Sequence, residues 1–203
     1  MKARYPLATI SGLLTIVIYL SLALVAFFSY PTTFSPQGNW LSDLGNRLLN
    51  PHGAAYYRSA ALLSGVLLAV FFVALGSSFR QQGGKRGLFM TVAEVFGLIA
   101  ALALVMTGVF PEGRAAPHSA FSTALYISFG TAVWFVSWAF LYVPGRTRWL
   151  SYLAFVVVAA SWAFAAFSHT YWLEWVVVFL LLLFVGAVAV VMGRLAGPPT
   201  TRE

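Results

Sequence analysis

Six stretches of this chain stay apolar for as long as a bilayer is thick, and that leaves few folds open to it. They cover 7–30, 54–79, 88–110, 119–143, 149–168 and 173–193. A hydrocarbon core about 30 Å thick is crossed by roughly 20 helical residues, so each run is long enough for one transmembrane α-helix. Of the 203 residues 61% are hydrophobic and 8% charged, where a soluble domain carries charge on roughly a quarter of its residues. Six spans and short loops consume the length, and no soluble domain fits beside them. The first run exceeds the apolar region of a cleaved signal and lacks a small-x-small cleavage site after it, so it reads as a retained helix.

Turn-forming segments separate the later runs: Gln82-Gly83-Gly84-Lys85-Arg86, Pro111-Glu112-Gly113-Arg114, Pro144-Gly145-Arg146 and His169-Thr170-Tyr171-Trp172. Connections this short make consecutive helices antiparallel neighbours, giving an all-α, up-down bundle of six with both termini on one side. The expected domain is 1–196, followed by a flexible tail at 197–203 that lacks apolar residues.

The formal charge of +7 does not imply nucleic acid, because the basic residues are scattered over short loops rather than gathered on one face. They sort by side of the membrane instead. With the N-terminus inside, Lys2, Arg4, Arg80, Lys85, Arg86, Arg146, Arg148, Arg194 and Arg202 are cytoplasmic, and Arg47, Arg58 and Arg114 are outside, nine against three of the 12. The positive-inside rule favours that orientation, a multi-pass protein of the cell membrane with cytoplasmic termini. The absence of cysteine excludes disulfides, thiol catalysis and thiolate metal sites.

The longest loop, 31–53, carries the most information. Leu41, Leu44 and Leu48 recur at i, i+3 and i+7, with Ser42, Asp43, Asn46, Arg47 and Asn50 between them. That spacing predicts a short amphipathic helix lying along the outer interface, with Trp40 at headgroup depth. Asn50-Pro51-His52-Gly53 ends it in a turn.

The string Asn39-Trp40-Leu41-Ser42-Asp43-Leu44-Gly45-Asn46, followed by Asn50-Pro51 and by Gly65 in the next helix, resembles the opening signature of the prokaryotic domain-of-unknown-function family 998. Gly108-Val109-Phe110-Pro111 with His118 after it looks like that family's second signature. More remotely, a Ser-Asp-x-Gly loop and a His at a helix start are similar to the DRAM and Sfk membrane-protein families. The resemblance implies the six-helix fold and lends some weight to lipid chemistry.

The topology puts His52, His118 and His169 outside, together with Asp43, Glu112 and Glu174. Helix ends hold a side chain more rigidly than loops, so Asp43, His118 and His169 form the candidate catalytic site. Two imidazoles and a carboxylate could hold a metal, yet no H-E-x-x-H pattern supports one. Ser42, Asp43 and His118 contain the residue types of a hydrolytic triad, although a Ser beside its own Asp points away from it. The plain alternatives are interfacial imidazoles bonded to loop carbonyls and an exposed Asp43–Arg47 pair. Arg47, Arg58 and Arg114 are candidates to grip a lipid headgroup, against simple snorkelling. Glu94 stands apart, roughly 9 Å into the third helix at about 1.5 Å per residue. An intramembrane carboxylate of this kind is either protonated or paired with Lys85 or Arg86 reaching inward, and a structural or pKa-shifted role is expected of it.

The expected function is binding of a membrane lipid or isoprenoid-like ligand at the outer polar cluster, with hydrolysis or group transfer as a further step. The rival is a non-catalytic lipid-binding, sensing or scaffold protein. A small transporter is disfavoured, because no paired interrupted helices or midplane polar site is evident. No cofactor and no oligomeric state can be named from these residues.

Overall fold

A computed structural model describes residues 5–80, 83–113, 115–143, 147–167 and 170–196. His169, Arg114 and the 197–203 tail lie outside the described residues. Six helices run in chain order: α1 (Tyr5–Phe28), α2 (Ala54–Arg80), α3 (Gly84–Val109), α4 (Ala115–Leu141), α5 (Arg148–Ala166) and α6 (Tyr171–Ala196). Each is long and apolar enough to cross a membrane, and no strand occurs among the described residues. α3 and α4 each begin four residues before their apolar runs, at Gly84 and Ala115. Polar residues at the membrane edge continue the helix without loss, and Pro117 falls in the first turn, where its missing N–H has no partner to lose.

Each helix packs on its neighbours in sequence, and α1 also packs on α6, which closes the ring. Hydroxyls in the apolar helices return to their own backbone, as Ser11 Oγ does to the Leu7 carbonyl at 2.7 Å and Thr15 Oγ1 to Ser11 at 2.8 Å. At the end where the chain termini lie, the ring interior is filled by Phe79, Met90, Phe140 and Met192, with Phe71, Phe72 and Phe184 above them.

Lipid tails are as apolar as leucine, so helices in a membrane associate through close packing rather than hydrophobic burial. The α2–α3 seam shows how. A Cβ on Gly65 would stand 2.9 Å from the Ala101 carbonyl oxygen, one on Gly97 would enter the Phe72 ring, and one on Gly76 would displace the Glu94 carboxylate. Glu94 thus lies across Gly76 and pairs with Arg80 at the end of α2. The expected partners do otherwise. Arg86 donates to the Tyr142 carbonyl at 2.6 Å and sits over the Phe79 ring.

The 31–53 loop departs from its expected form. In place of an interfacial amphipathic helix there is a single 3-10 turn, Leu41–Gly45, with all five residues buried. Asp43 is the cause. Its Oδ2 accepts the Trp40 N–H at 3.0 Å, and its own N–H donates to the Trp40 carbonyl at 3.1 Å. Once the turn is closed this tightly, Leu41 and Leu44 point into the bundle beside Ala26 and Phe34, while Leu48 is carried past it and stands 88% exposed. Trp40 packs against Tyr171 and Phe164, with ring centres 4.7 and 6.2 Å away.

Asn50 fastens the loop. Fully buried, it donates to the Ala26 carbonyl at 3.0 Å and the Leu44 carbonyl at 3.1 Å, and accepts the Gly53 N–H at 3.0 Å. One side chain therefore joins the end of α1, the 3-10 turn and the entry to α2.

Candidate functional site

Beneath the buried turn, inside the ring, lies a cavity of about 840 Å³ including its mouth. Its lining changes character with depth. On α2 it passes from Tyr57 and Arg58 to Ser64 and Leu68, on α4 from His118 and Ser122 to Leu125 and Phe129, and on α6 from Glu174 to Val178, Leu181 and Val185. Tyr57 to Leu68 is eleven residues, so at about 1.5 Å each the cavity runs roughly 16 Å along the helices. α1 contributes Thr15 and Tyr19, and the Tyr19 and Tyr57 hydroxyls are 3.0 Å apart.

Glu174 comes from the first turn of α6 and is buried at 4% exposure. Its Oε2 accepts the backbone N–H of Leu41 at 2.7 Å and of Ser42 at 3.4 Å. A 3-10 turn leaves its first N–H groups without internal partners. Glu174 supplies the acceptor, so the last helix holds the plug that roofs the cavity.

His118 is also buried. Its Nδ1 lies 2.8 Å from the Phe110 carbonyl and therefore carries the proton, and its Nε2 lies 3.2 Å from Glu112 Oε2. The contact is an ion pair when the imidazole is protonated. Burial, the largest influence, pushes Glu112 above the usual carboxylate range. Nearby His118 lowers it and Asp43 raises it. Asp43 is likewise raised by burial, against the Trp40 N–H, the Asn39 side chain and His118, all of which lower it.

Of the sequence candidates, then, Asp43 and His118 come within electrostatic range of each other, but only His118 lines the cavity. Asp43 holds the turn instead, and the expected Asp43–Arg47 pair is absent among the described residues. Arg58 does not merely snorkel: its Nε donates to the Gly108 carbonyl at 3.0 Å and it lines the cavity. Arg47 and His52 are exposed. Glu94 belongs to the opposite end of the bundle. Among the described residues no three His, Asp or Glu side chains converge as metal ligands.

The family model described as a protein of unknown function (DUF998) matches residues 13–193. The chain belongs to the DUF998 family. No curated protein and no solved structure matches it. This DUF998 chain is a six-span membrane protein, and its two signature strings meet physically. The first supplies Ser42 and Gly45 to the cavity roof, and the second supplies Gly108 and Pro111 to the wall beside Arg58 and His118. Sequence reading set Glu112 and Glu174 on the same side as the candidate site without giving them a role, and it did not single out Tyr126. An acidic residue at the edge of an apolar run shows which end it occupies, not which way it faces, and a tyrosine inside a run carries no signal at all.

Proposed function

We propose that this protein binds a lipid-like amphiphile, with its polar head among Arg58, His118, Ser42 and Glu174 and its chain along the deeper cavity wall. The observation that carries this reading is the gradient of the lining, from charged to apolar in the same direction on α2, α4 and α6. An amphiphile has that shape and polarity order. Non-catalytic binding is favoured over hydrolysis because both ring nitrogens of His118, the base a triad would need, face other groups, Nδ1 the Phe110 carbonyl and Nε2 Glu112, rather than Ser42.

Filling the cavity tests the binding. Ser122→Phe and Leu104→Phe each place a ring in the lumen, from α4 and from α3. The parent should carry a co-purifying amphiphile in native mass spectrometry, and both variants should lose it while keeping their thermal stability in detergent. Unchanged retention in both would refute the reading.

We further infer that the polar end of the cavity faces outward, on the nine-to-three division of Lys and Arg. In this cysteine-free chain an Arg47→Cys variant should react with an impermeant maleimide added to intact cells, and Lys85→Cys should not. The reverse pattern would invert the orientation.

A further inference from the structure

The charges at the polar end of the cavity divide into those already engaged and those left over. Asp43 is engaged by the Trp40 N–H. Glu112 and His118 face each other at 3.2 Å. Arg58 and Glu174 remain, both on the lining of one cavity. The ion pairs among the described residues, at 4.0 Å or closer, are Arg80–Glu94 and His118–Glu112. Among the described residues, Arg58 and Glu174 therefore touch neither each other nor another charge of opposite sign. Arg58 has spent only its Nε, on a backbone carbonyl, and Glu174 receives only neutral donors.

Two opposite charges held apart in a low-dielectric space are each costly, and one ligand carrying both signs answers both. A third group points the same way. The Tyr126 ring is 3% exposed, packed edge-on against Phe164. Its hydroxyl has no hydrogen-bond partner among the described residues, is not sealed off from open space, and lies within electrostatic range of Glu174 and Tyr19. Tyr126 lines the cavity together with Glu174.

We propose that the cavity selects a zwitterionic phospholipid headgroup, with its phosphate on the Arg58 guanidinium and a primary ammonium between Glu174 and the Tyr126 hydroxyl. A planar guanidinium grips phosphate with two parallel N–H groups, and a primary ammonium offers three N–H donors to the two oxygens opposite. The inference rests on the amphiphile-binding reading above and adds the class of head.

The test uses the full chain, delipidated in detergent and exposed to an equimolar mixture of phosphatidylethanolamine, phosphatidylcholine, phosphatidylglycerol and diacylglycerol with identical acyl chains. Native mass spectrometry reads the bound species. Phosphatidylethanolamine should exceed each of the others by about tenfold. Glu174→Gln keeps an acceptor for the Leu41 and Ser42 N–H groups, and should erase the preference over phosphatidylglycerol while lipid is still held. Arg58→Gln should lower all three phospholipids relative to diacylglycerol. Binding without headgroup preference, a preference for phosphatidylglycerol, or phosphatidylcholine held as tightly as phosphatidylethanolamine would overturn the headgroup assignment alone. If no amphiphile is held, or if Ser122→Phe holds as much as the parent, the binding reading itself falls.

Discussion

Asn50→Ala is expected to cost this protein more stability than any other single change in the loop. The substitution orphans the carbonyls of Ala26 and Leu44 and the N–H of Gly53, all bonded to this buried side chain. A buried group left without its partner costs about 1–3 kcal/mol, so the three together come to about 3–9 kcal/mol. Asn50→Asp should be nearly as damaging. It keeps the acceptor for Gly53 but turns a carboxylate toward two carbonyls. Asn46→Ala is the comparison, because Asn46 Oδ1 accepts the Leu48 N–H in an exposed place. Its cost should stay below about 1 kcal/mol, since water replaces that bond. Unfolding in mixed micelles, followed by tryptophan fluorescence, measures all three. Equal midpoints for the Asn50 and Asn46 variants would show that the loop is not fastened at Asn50.

The second large effect is expected at the α2–α3 seam. In Gly97→Ala the new methyl group must occupy space that the Phe72 ring already fills. The ring cannot step aside. Phe72 is buried, with Phe71 and Phe129 packed edge-on at 5.3 and 5.7 Å. Overpacking a filled core costs about 1–3 kcal/mol, and here relief requires two helices to part along their length. Gly38→Ala is the control, since a Cβ there would meet only Ser35 Oγ, at 3.8 Å. Phe72→Leu should recover part of the loss in the Gly97→Ala background while destabilising the parent. That sign reversal gives a coupling of at least about 1 kcal/mol in a double-mutant cycle. Additive losses would mean that the two residues are not in competition for the same space.

The spans were legible in the sequence because hydropathy depends on composition alone. The ends of α3 and α4 were not, because Lys85, Arg86 and Pro117 look like loop residues yet sit comfortably in a first turn. The 31–53 loop was misread for a specific reason. Leucines at i, i+3 and i+7 satisfy an α-helical pattern, but the decisive interactions come from elsewhere: Asp43 closing on Trp40, and Asn50 reaching Ala26. His118 was found because a signature string led to it. Glu174 was placed on the correct end of the bundle but not in the site, because its partners at Leu41 and Ser42 are 133 and 132 positions away. No local pattern reports a bond across that distance.

Closure of the ring by α1 on α6 has a consequence for the order in which the molecule can be made. A ribosome delivers Ser42 long before Glu174, so the first two helices enter the membrane with the 3-10 turn formed by Asp43 and Asn50 but not yet held from across the ring. The cavity has walls only when α6 arrives, and the same arrival supplies the carboxylate that fixes its roof. Up to that moment the interior is a cleft open sideways to the bilayer, and lipid can occupy it without passing through any mouth. On the proposed amphiphile-binding reading, insertion of the last helix would then decide what is enclosed, and biosynthesis itself would offer a route of loading.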